Sequence, residues 1–271
     1  MVELIQKIAA KAAAGQAPEP GDYVDEQGLL VCGKCRTRRQ HRLTLDGADR
    51  VVWCMCTCRS EAYEAERAAH KARQEEYRIG RLRESAFGDI SSRSWRFDGV
   101  DESPVIRKCR LYAHRWPEMR ENNIGLLLFG PPGTGKTVAA CCICNAVLDL
   151  GQSARALSVA EIMNGGFDKS ELLHAVQRAD LLVLDDLGSE RDTAYGLETV
   201  FSVIDARYRA EKPLIVTTNL TLKELQNPGA DRARIYDRVL AMCTPVRVDG
   251  VSHRGAVAAE KRRQLQQLLS D

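Results

Sequence analysis

"FGPPGTGKTVAACC", residues Phe129 to Cys142, decides how the rest of the chain is read. The apolar run Leu126, Leu127, Leu128 and Phe129 leads into G-x-x-x-x-G-K-T from Gly130 to Thr137, and a helix-compatible stretch follows. The order is strand, glycine loop, helix. Glycines permit backbone dihedrals that turn successive N–H groups toward an anion, and the helix start adds partial positive charge. Gly130, Pro131, Pro132, Gly133, Thr134, Gly135, Lys136, Thr137 and Val138 are therefore the candidate phosphate cradle. Lys136 is expected to reach the β- and γ-phosphates, and the Thr137 hydroxyl to ligate Mg2+. The alternative, a glycine-rich turn with an accidental lysine, lacks a reason for the strand before and the helix after. ATP with Mg2+ is the expected ligand.

A second motif, "ADLLVLDDLGSE", ends an apolar run in Asp185 and Asp186. Acids at the carboxyl end of a strand lie where an open α/β sheet binds its ligands. Asp185 is placed to hold hydrated magnesium, and Asp186 to position or deprotonate an attacking water. Paired aspartates can also simply start a turn; beside the glycine loop that reading weakens. A third piece, "PLIVTTNL", ends a strand at Thr217, Thr218 and Asn219, whose amide can donate to a γ-phosphate or to the water. Alone it is weak, because Thr-Asn at a strand end is common turn chemistry.

The chain has 271 residues, room for one α/β domain and a smaller module. Its formal net charge of +2 announces no global basic field, so nucleic-acid binding would have to be local. The N-terminal "MVELIQKIAAKAAAG" reads as a short amphipathic helix broken by Glu3, Lys7 and Lys11, not as a secretory signal. No apolar run approaches the roughly 18 to 20 residues that cross a bilayer, and a cytoplasmic protein without membrane contact is expected.

Three regions separate by composition. Residues 1–58 are irregular and rich in cysteine, residues 59–86 form a charged helical linker, and residues 87–271 carry an α/β domain. Strands are expected at Leu126–Phe129, Ala154–Val159, Leu181–Asp185, Leu214–Thr218 and Pro245–Val248. Helices are expected near Val138–Leu150, Ser170–Ala179, Gly196–Arg209 and Ile235–Met242. Short strands dense in Leu, Ile and Val suit a parallel sheet covered on both faces.

In the cysteine-rich region, Cys32 and Cys35 precede Cys54, Cys56 and Cys58. C-x2-C followed by a second cluster is the spacing of a structural zinc site, which takes four ligands. Five cysteines compete for four places. On an extended strand Cys54, Cys56 and Cys58 would share a face, so position does not decide which is spare. His41 is a further candidate, and unliganded buried thiols are the alternative. The basic run Lys34, Arg36, Arg38, Arg39, His41 and Arg42 either touches phosphate or is solvated. Cys141, Cys142 and Cys144 follow the glycine loop on a helix and read as small core residues.

Taken in order, GPPGTGKT, LLVLDDLG, "FSVIDARYRAEKPLIVTTNL", "RIYDRV" and "GVSHRG" resemble the DnaC-type helicase-loader ATPases and their phage and transposon relatives (DnaI, IstB), a branch of the AAA+ superfamily. The resemblance runs from about Phe87 to the C-terminus. It implies an AAA+ core with a five-stranded parallel sheet in the order 5-1-4-3-2, which puts the Asn219 strand between the glycine-loop strand and the Asp185 strand. It also implies that Asn219 is sensor 1, that Arg238 is an arginine finger acting on a neighbouring subunit, and that Arg254 is sensor 2. Arg234 is the substitute for the finger, and solvated or salt-bridged arginines are the alternative. The acid pair here is Asp-Asp where many AAA+ proteins have Asp-Glu.

From the resemblance follow a replicative hexameric helicase and single-stranded DNA as partners, and a homo-oligomer when ATP is bound. An IstB-like transposition helper acting on duplex DNA is the second reading. A metabolic P-loop kinase is the third, without convincing acceptor-binding residues.

Overall fold

The computed structural model describes residues 17–45, 47–89, 91–163, 168–188, 194–250 and 252–269. The expected N-terminal helix lies outside the described residues, as does Phe167, which after two glycines in "MNGGFDKS" would either stack on a base of single-stranded DNA or plug the core. The chain divides into two compact units between Glu76 and Tyr77.

In the first unit, strands β1 (Tyr23–Val24) and β2 (Leu30–Val31) pair antiparallel, and β3 (Gln40–Leu45) forms a hairpin with β4 (Ala48–Trp53). Its small interior holds Leu29, Leu30, Val31, Cys32 and Cys56, together with Arg39, which is 2% exposed. Helix α1 runs Thr57–Ala86, and its polar residues face solvent along most of its length. Alanine and long-chain charged residues favour helix without supplying an apolar stripe.

The second unit is built on five parallel strands: β5 (Gly125–Phe129), β6 (Ala154–Ser158), β7 (Leu181–Leu187), β8 (Leu214–Thr218) and β9 (Cys243–Arg247). Their order across the sheet is β6-β7-β8-β5-β9, which is the 5-1-4-3-2 order expected. The last strand covers Cys243–Arg247 rather than Pro245–Val248, and Pro245 is tolerated because β9 is an edge.

Alternation along the strands divides the core into two layers. Leu181, Val183, Leu128 and Ile215 pack with α2 (Pro104–His114), α3 (Trp116–Glu121) and α4 (Lys136–Asp149). Their neighbours Leu182, Leu184, Leu127, Leu214 and Val216 pack with α5 (Val159–Met163), α6 (Lys169–Arg178), α7 (Ala194–Arg209) and, beyond α8 (Leu222–Gln226), with α9 (Ala230–Met242). Successive side chains on a strand point to opposite faces, so a sheet covered twice must be apolar at every position. A last helix, α10, spans His253–Leu268.

One polar residue binds the second layer together. Arg207 on α7 is fully buried, and its guanidinium donates to the carbonyls of Val176 at 3.0 Å, Ala179 at 2.6 Å and Asp180 at 2.7 Å. It also donates from Nε to Pro213 O at 3.1 Å, so the end of α6 and the start of β8 share one donor group. Burial pulls its pKa down to about 10 and leaves it charged at neutral pH. A buried guanidinium without those acceptors would be strongly destabilising.

Candidate active site

The glycine loop leaves β5 and enters α4 as the sequence requires. Gly133 has φ +81° and a Cβ there would lie 2.2 Å from Ser252 Oγ; Gly135, at the helix N-cap, has φ +91°. Both need a residue without a side chain. Thr134 Oγ1 donates to Pro131 O at 2.9 Å, which closes the loop on itself. Lys136 Nζ donates to Gly130 O at 2.9 Å and Pro131 O at 2.7 Å. Its ammonium is thereby held over the loop, where phosphate oxygens would replace the carbonyls.

Asp185 and Asp186 close the cleft from β7. Burial raises the Asp185 pKa, and hydrogen bonds from Thr217 and Thr137 oppose that rise. The Thr137 hydroxyl and the Asp185 carboxylate therefore converge, as two oxygen ligands of one small hard cation must. They fit magnesium, whose chemistry here would be to neutralise phosphate charge and orient the β- and γ-oxygens. Asp186 has φ +61°, where β7 is irregular between Leu184 and Leu187. Its Oδ1 accepts from Asn219 Nδ2 at 3.0 Å, so the acid and the amide from the neighbouring strand face one another.

The cleft has a volume of about 710 Å³, within the range of nucleotide-sized pockets. Its far wall, Trp95, Gly99 to Ser103, Val105 and Ile106, carries no motif in the sequence. One signal for it was present: Ser103-Pro104 is an N-cap followed by proline in the first turn, and Ser103 Oγ accepts from Ile106 N at 3.1 Å. Asn145, fully buried on α4, fixes the start of this wall by donating to Ser92 O at 2.9 Å and Trp95 O at 3.1 Å.

The two arginines fare differently. Arg238 on α9 is half-buried: its Nη2 lies 2.7 Å from Asp205 Oδ1, and its guanidinium is 4.5 Å from the Phe201 ring centre and 5.7 Å from that of Tyr208. Phe201, Asp205 and Tyr208 stand at i, i+4 and i+7 on α7 and so share one face. Arg234, one turn earlier on α9, is exposed and 5.1 Å from the same Phe201 ring. Arg254 lies in the first turn of α10; its side chain is outside the described residues.

In the first unit the sulfurs of Cys32, Cys35, Cys56 and Cys58 all lie within 4.8 Å of one another. Cys32 Sγ is 3.7 Å and Cys56 Sγ 3.5 Å from Cys58 Sγ. Thiolates about 2.3 Å from a tetrahedral zinc sit roughly 3.8 Å apart, so the group fits that ion. Competition for protons splits the thiols: hydrogen bonds from the Cys58 and Thr37 backbones draw Cys35 down, whereas the other three sulfurs push Cys58 up.

Cys54 is the spare. Its Sγ donates to Arg38 O at 3.3 Å, away from the cluster. The shared-face expectation for Cys54, Cys56 and Cys58 fails because β4 ends at Trp53 and α1 begins at Thr57, so no strand alternation links the three. His41 is on the hairpin and outside the group. Two members of the basic run are paired internally: Arg38 Nε lies 2.8 Å from Asp25, and the buried Arg39 pairs with Asp22 and Glu19, while Lys34, Arg36, His41 and Arg42 are exposed. Cys141, Cys142 and Cys144 are buried in the core as expected.

Sheet order, phosphate loop and acid pair define a P-loop ATPase of the AAA+ class. The chain belongs to the family of IstB-like ATP binding proteins, whose profile matches residues 64–261. It is 29% identical over 190 residues to the replicative helicase loader DnaC of Escherichia coli (strain K12), covering 67% of this chain and 74% of that protein. It is also 25% identical over 258 residues to the phage-like element PBSX protein XkdC of Bacillus subtilis (strain 168), covering 89% and 90% of the two chains. Among solved structures, the crystal structure of DnaI matches with a TM-score of 0.52 and 21% identity, over 60% of this chain and 96% of that one. Membership of the AAA+ class sets the metabolic kinase reading aside. Among the described residues no helix is long and apolar enough to cross a membrane.

Proposed function

We propose that this protein is an ATP-dependent loader that delivers a replicative hexameric helicase to single-stranded DNA. The observation that carries the reading is the similarity to DnaC across two thirds of this chain. The match to XkdC, which covers 89% of this chain, points toward a phage-type relative. In this reading ATP sits in the cleft, with Thr137 and Asp185 holding Mg2+, Asp186 orienting the attacking water and Asn219 and Arg254 sensing the γ-phosphate. Arg238 completes the site of a neighbouring protomer in an ATP-bound homo-oligomer. The cysteine-bearing unit grips the helicase in the cytoplasm.

The test combines the purified protein, the replicative helicase of its own host and a circular single strand coated with single-strand-binding protein. Helicase on the DNA is expected to rise with the loader and ATP together. Loading at the level without the loader would overturn the reading. The family profile is named for IstB, which keeps a transposition helper as the second reading. That reading expects duplex DNA, rather than a single strand, to stimulate ATP turnover.

Cys32, Cys35, Cys56 and Cys58 are proposed to hold one Zn2+ per chain. Elemental analysis of full-length protein purified without chelator is expected to find one zinc, retained in Cys54→Ser and lost in Cys58→Ser. Equal loss in both variants, or no zinc at all, would show that the sulfurs are only packed together. Because metal ligation is folding free energy in so small a module, the Cys58→Ser chain is also expected to be cleaved faster by protease within its first 58 residues.

A further inference from the structure

Thr217 is the fourth residue of β8 and is 1% exposed. Its neighbours Ile215 and Val216 are fully buried hydrocarbon, as a sheet covered on both faces demands. A hydroxyl at such a place needs partners. The Thr217 hydroxyl donates to Asp185 Oδ1 at 2.6 Å and accepts from the Asp186 backbone N–H at 2.9 Å. It has one proton, so the two bonds fix its direction: the proton lies toward the Asp185 carboxylate and a lone pair toward the Asp186 amide.

Both bonds bear on how the acids are aimed. Asp186 is held at φ +61°, a conformation that is unfavourable for an aspartate and persists only where neighbours enforce it. Its N–H is turned out of the regular ladder at the bulge, and the Thr217 oxygen gives that donor its acceptor. With the backbone so fixed, the Asp186 side chain faces Asn219. On the other side, the bond to Oδ1 limits rotation of the Asp185 carboxylate, whose interaction with Thr137 then stays in register.

We propose that Thr217 is a positioning residue for ATP hydrolysis, a single buried hydroxyl that sets the orientation of both carboxylates of the acid pair. The inference rests on the reading of Asp185 and Asp186 as the hydrolytic pair. Valine would keep the shape and the burial of Thr217 while removing both bonds, and serine would keep the bonds while removing the methyl group.

The experiment compares Thr217→Val, Thr217→Ala and Thr217→Ser with Asp186→Asn in full-length protein. Thr217→Val is expected to lower kcat about tenfold to hundredfold, the scale of losing one hydrogen bond to a charged group. Affinity for a fluorescent ATP analogue without magnesium should stay within about twofold, while the gain in that affinity on adding magnesium shrinks. Thr217→Ser should recover kcat to within about threefold. Should the valine variant fail to fold, alanine and serine decide, because they differ only by the hydroxyl. Wild-type turnover and magnesium response in Thr217→Val, or equal losses in Thr217→Ser and Thr217→Ala, would overturn the proposal. Wild-type turnover in Asp186→Asn would instead overturn the reading of the acid pair on which it stands.

Discussion

Lys136→Ala is expected to abolish ATP turnover and to weaken ATP binding at least tenfold, without unfolding the protein. The ammonium is 2.9 Å from Gly130 O and 2.7 Å from Pro131 O, so it is carried by the same glycine loop that would hold the phosphates. Hydrogen bonds to charged groups contribute about 1.5–3 kcal/mol each, and about 1.4 kcal/mol is a factor of ten in affinity. Losing contacts to two phosphoryl groups therefore lowers affinity at least tenfold, and turnover falls further because charge on the γ-phosphoryl group is spread most widely during transfer. The fold is held elsewhere, by the apolar residues of α4 such as Ile143, Val147 and Leu148, all fully buried. A melting temperature within about 5 °C of the wild type, with no ATP hydrolysis, is the expected result. Wild-type turnover would remove the phosphate loop from the mechanism.

The parts of the fold that were legible in the sequence are those where several adjacent residues carry one message. The phosphate loop needs glycines at positive φ, a lysine and a threonine in consecutive places, and the chain writes all of them between Gly130 and Thr137. The three central strands β5, β7 and β8 carry unbroken apolar runs because each face of the sheet meets a different helix layer. Single residues that act across long sequence distances were not legible. Arg207 caps carbonyls on Val176, Ala179 and Pro213, and nothing beside it in the sequence announces that burial.

The partners of the basic run were hidden for the same reason. Arg38 and Arg39 look like a phosphate-binding surface until Asp25, Asp22 and Glu19, 13 to 20 residues earlier, are found to neutralise them. The cysteine spacing identified the cluster, but the choice among Cys54, Cys56 and Cys58 depended on where a strand ends and a helix begins, the least legible property of any sequence. Asp186 shows the converse. The acid pair stood out, yet its left-handed backbone and the hydroxyl that enforces it arise only when β7 and β8 are side by side.

Arg238→Ala is expected to bind ATP almost normally and to hydrolyse it about 10³-fold or more slowly, with activity returning when it is mixed with Lys136→Ala. An arginine supplied to the transferred phosphoryl group is worth about 10³ to 10⁵ in rate in P-loop systems. In the protomer the side chain is held by Asp205 at 2.7 Å and lies against Phe201 and Tyr208. Such a bracket serves either of two ends. It presents a guanidinium at the surface of α9 for a neighbour's nucleotide, or it pins α9 to α7 within one chain. Mixing separates them. A protomer with Lys136 intact but Arg238 lost still binds ATP, and in a shared assembly it borrows the arginine of a Lys136→Ala neighbour. Turnover per chain should therefore reappear in the mixture, and in the wild type it should rise with protein concentration until assembly is complete. If Arg238 only pins the two helices, its alanine variant melts at lower temperature, turnover per chain is independent of concentration, and the mixture stays as inactive as its parts. The same comparison on Arg234→Ala, whose exposed side chain shares the Phe201 ring, tells which of the two arginines crosses the interface. Turnover lost in Arg234→Ala alone and restored on mixing with Lys136→Ala, with Arg238→Ala active by itself, would move the finger one turn back along α9.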